Sequence, residues 1–265
     1  MNILDTIIEH KKREIAFQKA HIGIDQLQQT EYYHRKTLSL KSSLLDKTKT
    51  GIIAEFKRRS PSKGTINKTA TVEAVTRAYT DHGASGLSVL TDTYFFGGSS
   101  KDLLAARENA IPVLKKDFII DEYQITEARS IGADVILLIA ANLSVDSVKR
   151  LAAFAKKLEL EVLLEIHNED ELQHICDEVD MVGVNNRNLK TFDVDINISI
   201  NLGALIPPGK IKISESGIND VAVINLLKQY HGFNGFLIGE TFMKEADPAI
   251  AFAGFVQQLN NYKCE

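Results

Sequence analysis

The chain has 265 residues, of which 44% are hydrophobic and 25% charged, with a formal net charge of −4. That is ample apolar material for a core, and too little charge imbalance for a general attraction to nucleic acid or an anionic membrane. The only two cysteines, Cys176 and Cys264, exclude a disulfide framework and lack metal-ligand spacing, a pattern that fits a reducing compartment.

Asp5, Glu9 and Glu14 interrupt the apolar residues between Met1 and Ala20, so this stretch does not read as a signal peptide. The most apolar run, Val135 to Leu143, is too short to span a bilayer. A cytoplasmic protein is expected. Ile3, Leu4, Ile7, Ile8 and Ile15 form a helical stripe that predicts a helix from about Asn2 to Ala20, and Leu38, Leu40, Leu44 and Leu45 suggest a second, shorter one. These elements are too small for a core of their own. Residues 1–50 are therefore expected to pack as a helical extension on a barrel formed by residues 51–265, making one domain overall.

From Gly51 onward, short apolar runs alternate with amphipathic segments. The runs are Gly51–Phe56, Gly86–Thr91, Pro112–Lys115, Val135–Ile139, Glu161–Ile166, Met181–Val184, Ile211–Ser214 and Gly235–Ile238. Nearly continuous apolar runs suit parallel strands buried on both faces. Helices are predicted over Thr71–His82, Glu122–Ile131, Ser144–Leu158, Glu169–Val179 and Asn219–Tyr230, with Ser144 and Asn219 as caps. Gly83, Gly132 and Gly232 sit where three of these helices should close in the left-handed conformation. An open doubly wound sheet would more often have five or six strands. The count of eight, with polar residues ending most strands, predicts a closed (β/α)8 TIM barrel.

Alternate residues of a strand share a face, so Glu55 and Lys57 point the same way, towards the mouth of a barrel. A structural ion pair would account for them alone, but Ser60-Pro61-Ser62-Lys63-Gly64 follows at once with hydroxyls and backbone N–H groups suited to an anion. Lys115 and Lys116 point to opposite faces, so one could enter the mouth. Burial and a nearby cation would there lower its pKa towards that of a working general acid. Glu165 interrupts an apolar run, which is costly without partners or work. His167 shares its face and reads as a hydrogen-bonded support residue. Asn185 and Arg187 alternate after the sixth run, the arginine suited to a carboxylate or phosphate. Gly217 and Gly239 follow the seventh and eighth runs, the usual phosphate-binding ordinals of a barrel, where glycine lets an anion approach backbone N–H groups.

Taken together, Ile53-Ala54-Glu55-Phe56-Lys57-Arg58-Arg59-Ser60-Pro61-Ser62, Leu114-Lys115-Lys116-Asp117-Phe118, Asn185-Asn186-Arg187-Asn188-Leu189 and Ser214-Glu215-Ser216-Gly217 resemble the indole-3-glycerol phosphate synthases of tryptophan biosynthesis. The resemblance covers essentially the whole chain, from Ile3-Leu4-Asp5 onward. It implies a small phosphorylated substrate, 1-(2-carboxyphenylamino)-1-deoxyribulose 5-phosphate, closed to the indole with loss of carbon dioxide and water. No metal or organic cofactor, nucleic acid, membrane or obligate protein partner is implied. By motif, Lys116 corresponds to the general acid and Glu165 to the general base. Lys57 would bind the anionic substrate and share acid duty, with Glu55 and Asn185 as positioning groups. Arg187, Ser216, Gly217, Gly239 and Glu240 would hold substrate towards its phosphate end, Glu240 through its backbone N–H, and Glu215 would also bind substrate. Ser60 would lie beside the substrate carboxylate, and Phe96 and Phe118 would pack its aromatic ring. The chain ends soon after the eighth unit, so a monofunctional form is expected, with the N-terminal helix and the loop after strand one covering the mouth. The alternatives are another phosphate-binding barrel, such as phosphoribosylanthranilate isomerase, and a non-catalytic barrel. The isomerase would want a cysteine–aspartate pair at strand ends, which neither Cys176, read as helical, nor Cys264 supplies.

Overall fold

The computed structural model describes residues 3–262; Asn2, at the predicted start of the first helix, and Cys264 lie outside them. Eight parallel strands close into a barrel. In chain order they are β1 (Ile52–Phe56), β2 (Gly86–Leu90), β3 (Val113–Lys116), β4 (Val135–Ile139), β5 (Glu161–Ile166), β6 (Met181–Asn185), β7 (Ile211–Glu215) and β8 (Gly235–Ile238). Each pairs with the next, and β8 returns to β1 with Ile53 opposite Leu237. Three helices precede the barrel: α1 (Ile3–His21), α2 (Ile24–Gln28) and α3 (Leu40–Leu45). Around it run α4 (Val72–Asp81), α5 (Ser100–Ala106), α6 (Glu122–Ser130), α7 (Val145–Lys157), α8 (Asn197–Gly203), α9 (Val221–Tyr230), α10 (Glu240–Met243) and α11 (Pro248–Asn261). A short antiparallel hairpin, Arg59–Ser60 with Gly64–Thr65, follows β1.

Strand alternation divides the core into two layers. Inward-facing Ile53, Leu114, Leu137, Leu163, Met181, Ile213 and Leu237 fill the barrel, and Leu40 and Leu44 of α3 pack against them. Outward-facing residues such as Val89, Val113, Leu164 and Val182 pack beneath the helices. Full burial of each such side chain contributes about 1.5–3 kcal/mol, so the two layers together lock the strand register. Towards the C-terminal ends of the strands the inward positions become polar. Ile53 is followed on its face by Glu55, Leu114 by Lys116, Leu163 by Glu165 and Ile213 by Glu215, all of these carboxylates being buried.

Several predicted features recur with local differences. Thr71 and Ser144 cap α4 and α7 through their side chains, and Gly83, Gly132 and Gly232 have φ of 86°, 90° and 68°. The cap of α9 is Asp220 rather than Asn219, its carboxylate accepting from Ala222 N at 2.8 Å. Between β5 and β6 the expected α-helix over Glu169–Val179 is replaced by a 3₁₀ turn, Glu169–His174. Glu171 turns back to accept from His167 N at 2.7 Å, and the His174 ring meets Leu143 O at 3.0 Å. These side-chain bonds hold the segment in tight i→i+3 turns, and Cys176 lies beyond it in non-helical backbone. No helix among the described residues is long and apolar enough to cross a membrane.

Candidate active site

The polar layer forms one connected set of charges. Lys116 Nζ lies 3.2 Å from Glu165 Oε2 and 3.6 Å from Glu215 Oε2. Beside it, Lys57 Nζ pairs with Glu55 Oε1 at 2.7 Å, and Ser88 Oγ sits 3.4 Å from the other Glu55 oxygen. Asn185 Nδ2 donates to Glu165 Oε1 at 3.0 Å while its carbonyl oxygen accepts from Arg187 N at 3.0 Å. Lys115 points the other way, out of the barrel, and is buried against Glu127.

Crowding explains two of the glycines. A Cβ at Gly183 would collide with Glu215 Oε1, and one at Gly239 would lie 2.7 Å from Glu55 Oε1. The strands leave these positions bare so that carboxylates from neighbouring strands can fill the barrel's upper layer.

The electrostatics differ from the sequence expectation for Lys116. Burial works against its charge, but Glu165, Glu215 and Glu55 outweigh burial and raise its pKa above the ordinary lysine range. The nearest partners are carboxylates rather than a cation, so the expected downward shift is corrected. Burial likewise disfavours a charged Glu165, yet Lys116, His167 and Asn185 hold its pKa well below the carboxylate range. In Glu55 the attraction of Lys57 and Lys116 also overcomes burial and lowers the pKa. Glu215 goes the other way. Burial, reinforced by Glu165 and Glu55, exceeds the pull of Lys116 and pushes it up to about 8. Its Oε1 is buried without a hydrogen-bond partner.

His167 stands behind the site rather than in it. Its Nε2 lies 3.1 Å from Glu165 Oε1 and its Nδ1 3.3 Å from Glu171 Oε2. Burial opposes its charge, but the bonds to Glu165 and Glu171 raise its pKa to about 10. Its side chain contacts Glu165 and Glu171 and does not line the cavity.

A cavity of about 560 Å³ opens above the charged layer, within the size range of small-molecule sites. Glu55, Lys57, Ser60, Lys116, Glu165, Asn185, Glu215 and the remaining sequence candidates Phe96, Phe118, Arg187, Ser216, Gly217, Gly239 and Glu240 all line it. Phe96 and Phe118 form one wall, their ring centroids 5.9 Å apart and tilted by 38°. Opposite elements end in the turns after β7 and β8. Ser216 and Gly217 have φ of 68° and 76°, and a serine in that region is uncommon outside strained functional turns. Asn186 holds this turn, donating to Ser214 Oγ at 3.0 Å and Ser216 O at 3.1 Å. Arg187 reaches across to Glu240 at 3.4 Å.

Other lining groups had no individual role assigned from the sequence, although the N-terminal helix and the Ser60–Gly64 segment were expected at the mouth. Ile3, Leu4 and Ile7 bring α1 over the mouth, and Leu189, Phe192 and Val194 supply an apolar rim from the loop after β6. Lys63 and Lys244 add positive charge, Lys63 lying 3.8 Å from Glu240. Among the described residues, no group of His, Cys, Asp and Glu side chains converges as metal ligands would.

The arrangement combines a proton-bearing lysine, an ionised carboxylate in contact with it, an aromatic wall and a cationic, backbone-rich rim. A family model described as indole-3-glycerol phosphate synthase matches residues 4–254. Relatives bearing that same name are found in Bacteroides thetaiotaomicron, 47% identical over 97% of this chain and 99% of the relative, and in Chromobacterium violaceum, 42% identical over 95% and 97%. Another, from Acinetobacter baumannii, is 39% identical over 97% of this chain and 96% of its own. The matches do not favour the isomerase alternative. With family model, relatives and barrel in agreement over nearly its full length, the chain belongs to the indole-3-glycerol phosphate synthase family.

Proposed function

We propose that this cavity closes the indole ring of 1-(2-carboxyphenylamino)-1-deoxyribulose 5-phosphate, releasing carbon dioxide and water. The observation that carries the reading is the Lys116–Glu165 contact of 3.2 Å at the floor of the cavity, between the aromatic wall and the turns after β7 and β8. The ring carbon that bears the carboxylate attacks the ketone carbon, and Lys116 protonates the ketone oxygen as charge develops there. Its raised pKa suits this duty, because an alkoxide is a stronger base than a lysine amine and the proton stays in place until the alkoxide forms. Decarboxylation then restores the aromatic ring, and Glu165 removes the proton that accompanies hydroxyl departure.

The two steps are linked through the same contact. Lys116 is the strongest of the attractions that keep Glu165 ionised. Once Lys116 has given up its proton, Glu165 becomes a better base for the second step. Lys57 neutralises substrate charge and shares acid duty, while Glu55 and Asn185 orient the lysines and Glu165. Ser60 meets the substrate carboxylate. Arg187, Ser216, Gly217, Gly239 and the backbone N–H of Glu240 take the phosphate end, with Glu215 accepting or donating at a substrate hydroxyl. Phe96 and Phe118 receive the anthranilate ring. Within this reading the enzyme works in the cytoplasm on its small substrate, without a cofactor, nucleic acid, membrane or obligate partner.

Indole fluorescence tests the reaction directly. Purified protein supplied with the ribulose phosphate should generate it catalytically; tight binding of that compound without turnover would make the chain a non-catalytic phosphate-binding barrel.

A further inference from the structure

The buried residues of α1 are Ile7, Lys11 and Ile15, so a lysine occupies the middle of its apolar stripe. Lys11 is 1% exposed. Its Nζ lies 3.0 Å from Asp92 Oδ2, 3.0 Å from Asp117 Oδ1 and 2.9 Å from Glu14 Oε2. Asp92 follows β2 and Asp117 follows β3, so one ammonium joins the ends of two adjacent strands.

The same two carboxylates hold the aromatic wall. Asp92 Oδ1 accepts from Phe95 N at 2.7 Å and Phe96 N at 3.2 Å. Asp117 Oδ1 accepts from Phe118 N at 2.8 Å, and its Oδ2 accepts from Thr91 Oγ1 at 2.6 Å. Both phenylalanines therefore hang from carboxylates whose mutual repulsion the lysine between them offsets, with Lys115 3.9 Å from the outer oxygen of Asp117. We propose that Lys11 is a positioning residue that sets the separation and tilt of Phe96 and Phe118, and through them the fit of the substrate's aromatic ring. The inference rests on the proposed reaction, in which those rings receive the anthranilate group. Buried Lys11 keeps its charge because Asp117, Asp92 and Glu14 outweigh the burial that disfavours it.

A merely structural anchor would affect every ligand of the cavity alike. The full chain and its Lys11→Met variant are titrated with two probes: the substrate with its ketone reduced to an alcohol, which carries ring and phosphate, and glycerol 3-phosphate, which lacks the ring. Lys11→Met should weaken the first probe roughly tenfold and leave the second within about twofold, with KM rising more than kcat falls. Equal weakening of both probes, or of neither, overturns the proposal. If Lys11→Met does not fold, Asp92→Asn keeps an acceptor for the Phe95 and Phe96 amides while removing one of the clamped charges. It should weaken the ring-bearing probe about threefold and selectively, and a loss without that selectivity overturns the proposal. Wild-type turnover, measured separately, judges the reaction itself, whereas the ratio of the two affinities judges Lys11.

Discussion

At the N-terminal end of the barrel, Asp134 is fully buried just before β4 and has every acceptor filled. Its Oδ1 takes Arg35 Nη2 and Leu38 N, each at 2.7 Å, and its Oδ2 takes Val113 N at 2.8 Å and the Arg107 guanidinium. At the C-terminal end, Glu215 is just as buried, but its Oε1 lacks a partner, and Lys116 beside it faces the cavity. Both clusters place carboxylates and cations inside a low-dielectric core. The first fills the acceptors of its carboxylate with donors from the segment before β1 and from the barrel, joining the two. The second turns Lys116 and Glu215 towards a cavity, the difference that the proposed function uses to tell a stabilising cluster from a working one.

Removing one charge from each end should break the molecule in different ways. The largest effect on activity belongs to Lys116→Ala, which should lower kcat for ring closure per folded molecule by about 10⁴-fold, read by indole fluorescence. Next comes Asp134→Ala, which strands Arg35 and Arg107. Urea unfolding should show a loss of about 3–5 kcal/mol, with kcat per folded molecule unchanged. Glu165→Gln is expected to slow turnover about 10²-fold by impairing dehydration, so that rapid quenching traps a ring-closed species still carrying its hydroxyl.

The smallest effect is a pH slope. Glu215 has a folded pKa of about 8 against an ordinary 4.5. Between those values the folded chain keeps a proton that the unfolded chain has lost, so stability falls as pH rises through that interval. His167, raised from 6.5 to about 10, adds a slope of the same sign only above 6.5. The lowered pKa of Glu165 acts in the opposite sense, below 4.5. Unfolding measured from pH 4.5 to 6.5 therefore isolates Glu215, and Glu215→Gln should remove a slope of up to about 1.4 kcal/mol per pH unit. An unchanged slope would show that Glu215 is ionised throughout.

The strands were legible in the sequence because burial on both faces leaves almost no choice of residue, and their polar inward ends stood out against that background. Motif and alternation together picked the cavity-lining residues at the ends of β1, β3, β5 and β6. The chemistry of Lys116 was legible only in part. Alternation showed only that one of Lys115 and Lys116 faces inward, and the motif picked Lys116; its carboxylate neighbours come from β1, β5 and β7, and neighbours across a closed barrel have no signature in local sequence. The segment after β5 misled for a similar reason, since Glu171 bonds back to His167 instead of extending a helix. Short α5 and α8 carry too few turns for a clear period, and they are held by the outer core. Lys11 did leave a trace: a lysine between Ile7 and Ile15 at four-residue spacing signals a buried partner, though not which carboxylates supply it.

The contrast between the two ends of the barrel reduces to kcat per folded molecule, measured side by side on Lys116→Ala and Asp134→Ala with the folded fraction determined in the same samples. A loss of about 10⁴-fold in the first and wild-type activity in the second is the predicted result. Comparable activity losses in both variants, or near-normal turnover without the Lys116 ammonium, would contradict the assignment of catalysis to the unsaturated cluster.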